Sequence, residues 1–240
     1  MQPLAIDLFC GLGGWTEGLL AEGYEVVGFD IEQHVYGEHR YPAQLVLQDV
    51  RTLHGRQFKD AALIVASPPC QAYSWRAMPW KAAKAAPPPD NTLFESCFRI
   101  QREACEAAGR HIPLVVENVR GAQKWVGRAR WNFGSYYLWG DVPALMPITF
   151  QAQKFNPDGT AHGTGSWFKI ADSKNRGASR KNSGGSWFNV AHNTTSGHGQ
   201  NPDGRRTGMP RKMAAAMIAK IPFELSTHIA AVYRPQERAA

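Results

Sequence analysis

Disulfide chemistry has little material in this sequence. Its 240 residues hold four cysteines, Cys10, Cys70, Cys97 and Cys105. That is too few for a disulfide framework in a chain of this length, so reduced thiols in a cytoplasm-like compartment, bacterial or in a virus-infected host cell, are expected. Long apolar runs are also missing. None reaches the 18 residues that a membrane-crossing helix needs. The opening stretch MQPLAIDLF has no basic segment ahead of a long apolar run and is not expected to be a secretory signal. Charge is modest, 20% against 43% hydrophobic, which excludes a disordered polyelectrolyte and fits one globular domain with room for a small lobe. Acids are scarcer than bases. The net charge of +7 points to a polyanionic partner such as nucleic acid.

That charge is uneven. Residues 151–210 hold eight Lys and Arg and three acids, so five of the net seven positive charges sit in a quarter of the chain. The same window is rich in Gly, Ser and Asn and poor in Leu. It contains a repeat: SWFKIA at 166–171 recurs as SWFNVA at 186–191, and NPDG at 156–159 recurs at 201–204. The alternation within each SWF run is that of a short strand, so two strands forming a small ribbon are expected. Trp167 and Trp187 are read as packing residues ahead of base-stacking ones. A solvated loop region is the competing reading of the charge.

Elsewhere short apolar runs alternate with helical stretches. LAIDLF (4–9), YEVVGFD (24–30), QLVLQDV (44–50), ALIVASPP (62–69) and IPLVVENV (112–119) read as strands, and SYYLW (135–139) as a sixth. GGWTEGLLAEGYE and residues 92–108 read as helices, and RAMPWKAAKAAPPPDN as a long surface loop. Strands alternating with helices predict an α/β fold, a doubly wound, mostly parallel sheet. In such sheets ligands bind at the carboxyl ends of the strands. Those ends carry the Gly11–Gly14 turn, Asp30, Asp49, the Pro68–Pro69–Cys70 unit and Glu117.

Each unit has a chemistry. Glycines at 11, 13 and 14 let backbone approach a ligand, and the next helix offers free N–H groups. Asp30, seventeen positions beyond Gly13, suits a ribose diol, and Asp49 repeats the arrangement one strand on. A nucleoside-containing cofactor is the expectation; a turn that merely needs φ > 0 and a helix-capping acid are the plainer readings. Cys70 follows two prolines that restrict the backbone and remove two N–H donors, so the direction of its thiol is set. A thiolate attacks an electron-poor carbon such as C6 of a pyrimidine, and a carboxyl such as Glu117 can protonate or hydrogen-bond N3. Cys97 and Cys105 better suit buried, inert positions.

FCGLGG, FDIE, the PCQ of 69–71, NTLF (91–94) and ENV (117–119), in this order, resemble the cytosine-C5 DNA methyltransferases, over residues 4–75 and 91–120. The resemblance implies a Rossmann-like catalytic domain, S-adenosylmethionine as cofactor and a target cytosine flipped from double-stranded DNA. It implies that Cys70 attacks C6, that Glu117 holds N3 and the exocyclic amine, and that the activated C5 takes a methyl group before its proton leaves. Matched position by position, Phe9, Gly11, Gly13, Gly14, Asp30, Ile31, Asp49, Val50, Pro68 and Leu93 line the cofactor site. GRAR at 127–130 is the nearest match to the family's Gln-x-Arg-x-Arg element, with no glutamine in place, and makes Arg128 and Arg130 candidates for holding the cytosine and phosphate. MPRKMAAAMIAKIP (209–222) is similar to the helix that follows the family's recognition region, whereas the family's final Gly-Asn contact has no counterpart in FELSTHIAAVY.

The expected organisation is a catalytic and cofactor-binding domain over 1–150, completed by 206–240, with a small basic target-recognition lobe at 151–205. Gln71, Ser74, Lys169, Arg176, Arg180, Lys181, Arg205 and Arg206 are the candidate DNA contacts. A monomer without metal or membrane association is expected. The rival readings are an RNA cytosine-C5 methyltransferase of the same fold, a catalytically silent DNA-binding relative and, last, a nicotinamide oxidoreductase, which needs neither PCQ nor ENV.

Overall fold

The structure, a computed structural model, describes residues 2–73, 87–146, 216 and 219–235. The chain divides into two compact units, Met1–Ala152 with Lys220–Ala240, and Gln153–Ala219. In the first unit β1 (Leu4–Leu8), α1 (Gly14–Ala21) and β2 (Glu25–Asp30) are followed by a small hairpin of β3 (Val35–Tyr36) and β4 (His39–Arg40). Then come β5 (Gln44–Leu47), β6 (Leu63–Ala66), α2 (Thr92–Ala108), β7 (Leu114–Asn118), α3 (Gln123–Val126), β8 (Trp131–Phe133), β9 (Tyr136–Gly140) and α4 (Phe223–Tyr233).

Seven strands form one sheet in the order β5-β2-β1-β6-β7-β9-β8. The pairings from β5 through β7 are all parallel, whereas β9 runs antiparallel to both β7 and β8. The α/β, mostly parallel architecture follows from residues that alternate between two cores. Ile6, Leu8, Ile64, Ala66, Leu114 and Val116 face one apolar cluster with Phe94, Cys97, Ile100 and Ala104 of α2. Ala5, Leu63, Val65 and Val115 face the other, with Trp15 and Leu19 of α1 and Leu225 and Ile229 of α4. Central strands covered on both faces must be apolar throughout, and β6 and β7 are buried at every position.

The β3–β4 hairpin, α3, β8 and α4 had not been read from the sequence. β8 is three residues long, too short for any alternation to register. α4 is rich in β-branched and polar residues, yet it buries Leu225, Ser226, Ile229 and Ala230, the i, i+4 pattern of a helix. It docks on α1 through absent side chains. A Cβ on Gly18 would lie 2.3 Å from Ser226 Oγ and 2.4 Å from the Thr227 nitrogen, and one on Gly14 would lie 2.3 Å from the Ile221 nitrogen. Lys220 Nζ donates to Glu17 Oε1 at 2.5 Å and the Tyr136 hydroxyl to the Lys220 carbonyl at 3.1 Å. The expected 151–205 lobe with its repeat, most of the 76–91 loop, and residues 209–215 lie outside the described residues.

Candidate active site

The strand order reverses beside β1: β2 and β5 lie on one side, β6 and β7 on the other. The carboxyl ends of β1 and β6 therefore flank the point where the winding changes direction, the place where open α/β sheets leave a crevice. The segment after β1 is Phe9–Gly13 and the segment after β6 is Ser67–Cys70.

The first segment is shaped by left-handed backbone. Phe9 has φ 59°, with Gly11 at 52° and Gly13 at 79°. The Gly11 N–H donates to Asp30 Oδ2 at 2.9 Å, so β2's terminal acid holds the turn. The other oxygen of Asp30 accepts the Ile31 N–H at 2.8 Å. A Cβ on Gly11 would meet no atom within 4 Å, whereas one on Gly13 would strike Pro42 Cδ at 2.6 Å. The open space at Gly11, the acid beside it and the Ile31 side chain, 73% exposed, form a cradle that fits a nucleoside-containing cofactor. Other matched positions sit differently. Gly14 is required by the Ile221 backbone against it. Val50 is buried, Pro68 is buried, and Leu93 is half-buried at the start of α2. β5 stops at Leu47, and Asp49 begins the 3-10 turn that follows, accepting the Arg51 N–H at 2.9 Å. The Arg51 guanidinium grips the same carboxylate at 2.6 Å and holds it below the usual carboxylate range.

Beneath the turn lies a buried polar cluster that sequence reasoning missed. Asp7 is 1% exposed. Its Oδ2 accepts from Thr16 Oγ1 at 2.6 Å, and Thr16 Oγ1 meets the Tyr41 hydroxyl at 2.7 Å. Its Oδ1 has no hydrogen-bond partner. Loss of solvent, opposed only in part by the Thr16 bond, pushes the Asp7 carboxyl up to about 7. The same burial, with Asp7 and Asp30 close by, pushes the Cys10 thiol up as well.

The second segment is held by side chains. Ser67 donates its N–H to the Leu8 carbonyl at 3.1 Å, and its hydroxyl accepts the Trp15 indole N–H at 2.9 Å. Asn118, last residue of β7, donates from Nδ2 to the Pro68 carbonyl at 2.9 Å, while its Oδ1 accepts the Val119 N–H at 2.8 Å. One buried amide thus ties the ENV stretch to the two prolines. Glu117, beside it on β7, is 9% exposed. After Cys70 the chain makes a single 3-10 turn, Gln71–Tyr73, in which the Tyr73 N–H donates to the Cys70 carbonyl at 3.0 Å. Cys70 is half-buried at this edge and Gln71 is exposed. Cys97 is fully buried, and desolvation pushes its thiol up. Cys105 is bound into a turn, where its sulfur accepts the Ile112 N–H at 3.2 Å.

Parallel pairing therefore brings the Gly11 turn, Asp30, Cys70 and Glu117 to one edge of the sheet. Arg128 and Arg130 lie between α3 and β8, both exposed, and the Arg130 N–H donates to the Leu138 carbonyl at 2.8 Å. Ser74, Lys169, Arg176, Arg180, Lys181, Arg205 and Arg206 lie outside the described residues. Asn118 and Trp15 were legible only as part of ENV and of an apolar helix face; nothing in one sequence reveals a bond across 50 or more positions. Among the described residues no His, Cys, Asp and Glu gather as a metal site, and no helix is long and apolar enough to cross a membrane.

Residues 4–126, just over half of the chain, match the family model described as C-5 cytosine-specific DNA methylase. No curated protein matches. Solved structures similar to this chain include an E. coli prophage-encoded DNA modification methyltransferase, 23% identical with a TM-score of 0.36, covering 52% of this chain and 34% of that one. The S. pombe Dnmt2 methyltransferase is 16% identical with a TM-score of 0.34, covering 52% of this chain and 36% of that one. The Entamoeba histolytica methyltransferase EhMeth is 18% identical, TM-score 0.36, covering 52% and 40%. The chain thus spans well under half the length of each of these structures. The family match covers the glycine turn, the PCQ segment and the ENV strand end together, and the chain belongs to the C-5 cytosine-specific DNA methylases.

Proposed function

We propose that the chain methylates C5 of cytosine in DNA, with S-adenosylmethionine as methyl donor. The observation that carries this reading is the joint between the family's two reactive segments: the Asn118 amide on the Pro68 carbonyl, which holds the Cys70 turn against the strand end bearing Glu117. The open Gly11, with Asp30 and the exposed Ile31, supports a nucleoside cofactor at the neighbouring strand end. When bound, that cofactor supplies an electrophilic methyl on a sulfonium.

This chain's residues do the rest. The Cys70 thiolate adds to C6 of an extruded cytosine, while Glu117 hydrogen-bonds or protonates N3, so electron density accumulates at C5. C5 then takes the methyl group, a base removes the C5 proton, and the C6–S bond breaks to return the thiolate. Phe9, Gly13, Gly14, Asp49, Val50, Pro68 and Leu93 complete the proposed cofactor wall, through backbone and packing where their side chains are already engaged. Arg128 and Arg130, both exposed, are the proposed holders of phosphate near the base. The basic 151–205 segment, with Gln71 and Ser74, is the proposed reader of double-stranded DNA, and the catalytic domain runs over 1–150 with 206–240.

DNA carrying 5-fluorocytosine, added with the cofactor, tests the reaction. Fluorine cannot leave C5 as a proton does, so a covalent adduct through Cys70 should accumulate and be absent in Cys70→Ser. No adduct on DNA that the protein methylates in its unfluorinated form overturns attack at C6.

A further inference from the structure

The PCQ segment is held on its upstream side by Trp15 and Asn118. Its downstream side is held by a contact that the proposed reaction does not use. Tyr73 is 3% exposed, its ring packed in the same apolar cluster as Phe94, Cys97 and Ala122. Its hydroxyl nonetheless donates to Asn91 Oδ1 at 2.9 Å, a bond between positions 18 apart in sequence. Asn91 in turn donates from Nδ2 to the Trp125 carbonyl at 3.5 Å. On the other side of Tyr73 the backbone is wedged, since a Cβ on Gly121 would lie 2.2 Å from the Tyr73 carbonyl oxygen. The Tyr73 N–H closes the turn on the Cys70 carbonyl. One residue thus joins the cysteine turn, the start of α2 and the 3-10 turn Arg120–Ala122 that follows ENV and contains Gly121. A phenol brought into an apolar core for one specific acceptor costs solvation that a phenylalanine would not, so the bond calls for a reason beyond filling space.

We infer that Tyr73 and Asn91 form a staple that sets the angle at which Cys70 is presented, and that both are positioning residues for the cysteine. This rests on the reading of Cys70 as nucleophile only for its consequence in catalysis; the geometric coupling stands without it. Burial keeps the phenol protonated, as donation requires. Tyr73→Phe keeps ring and packing and deletes the donor. Asn91→Ala deletes the acceptor, and Asn91→Asp keeps an acceptor oxygen at the same place.

The experiment measures the rate at which iodoacetamide alkylates Cys70 in the free protein, read by mass spectrometry of the Cys70 peptide. Neither DNA nor cofactor is needed. Tyr73→Phe and Asn91→Ala should each change that rate by at least about threefold. The double variant should change it no further than Asn91→Ala alone, because the bond that Tyr73→Phe removes is already lost with the Asn91 amide. Asn91→Asp should restore the wild-type rate, an outcome that a merely structural role for Asn91 does not produce. In single-turnover methyl transfer the first two variants should be roughly tenfold slower, with affinity for S-adenosylmethionine unchanged. A wild-type alkylation rate in Tyr73→Phe, additive effects in the double variant, or failure of Asn91→Asp to restore the rate overturns the staple. Should Tyr73→Phe not fold, the Asn91 pair decides alone. A staple seen by alkylation in a protein that transfers no methyl group would sink the proposed reaction and leave this inference standing.

Discussion

The two halves of the site are made by opposite means. On the side of β1, β2 and α1, where the Asp30 carboxylate holds the turn, close packing comes from side chains that are missing. Gly13, Gly14, Gly18 and Gly28 each let a proline, a backbone or a tyrosine come closer than any Cβ would permit. On the side of β6 and β7, shape comes from side chains that are present: Trp15 on Ser67, Asn118 on Pro68 and Tyr73 on Asn91. The contrast matches what the proposed reaction asks of each half. A cofactor cradle needs space and backbone N–H groups, which glycine supplies. A nucleophile needs one orientation, which directional hydrogen bonds supply. Substitutions in the first half should therefore act through sterics on stability, and those in the second through angle on rate.

The strongest way to break that contrast is Gly18→Leu. Backbone atoms of Ser226 and Thr227 occupy the place of its side chain, so α4 should be forced from α1 at a cost of about 5 kcal/mol, seen as loss of a cooperative thermal transition. A folded, wild-type-like variant would mean the glycine half is not sterically set. Asp7 gives the next effect. Its folded pKa of about 7 lies above the ordinary value of 3.8, so the native state holds a proton that the unfolded chain has lost. Stability from this group is full below about pH 4 and falls as pH rises toward 7, by at most about 4 kcal/mol. Denaturant titrations from pH 4 to 8 should show that slope in the wild type and a flatter one in Asp7→Asn; equal slopes would place the charge elsewhere.

The cysteine half should respond differently. Asn118→Leu leaves the buried Pro68 carbonyl and the Val119 N–H without their partner, at a cost of about 2 kcal/mol. Methyl transfer should fall further than stability implies, about a hundredfold, with cofactor affinity retained. A rate loss no larger than the fraction unfolded would put Asn118 in the same class as the glycines. Ser67→Ala removes only the bond to Trp15 and should be the smallest change, about 1 kcal/mol in a thermal melt, with a modest drop in rate.

How far the sequence reached differs between the same halves. The strands at 4–8, 25–30, 44–47, 63–66, 114–118 and 136–140 and the helices at 14–21 and 92–108 were legible from periodicity and turn residues. Their boundaries shifted by only a residue or a few. The glycines of the turn were legible too, but not their separate reasons: Gly11 borders open space, Gly13 admits Pro42 and Gly14 admits the Ile221 backbone. Asn118 looked like part of a motif rather than a joint, and Asp7 like one more residue of a strand. α4 was overlooked because Leu225 and Ile229 stand among Ser, Thr and His, although their spacing is helical.

Order along the chain decided which chemical groups this protein owns: a proline-flanked thiol, a strand-end carboxyl, a glycine turn with an acid beyond it, each placed at the end of an apolar run. Runs that alternate with helices pair in parallel, so one sheet edge collects them all, and that much is local physics read at a distance. Which oxygen meets which N–H across that edge was decided only when the chain closed. A hydrogen bond between residues 50 positions apart depends on strand order and register, and neither leaves a trace in the spacing of the residues it joins.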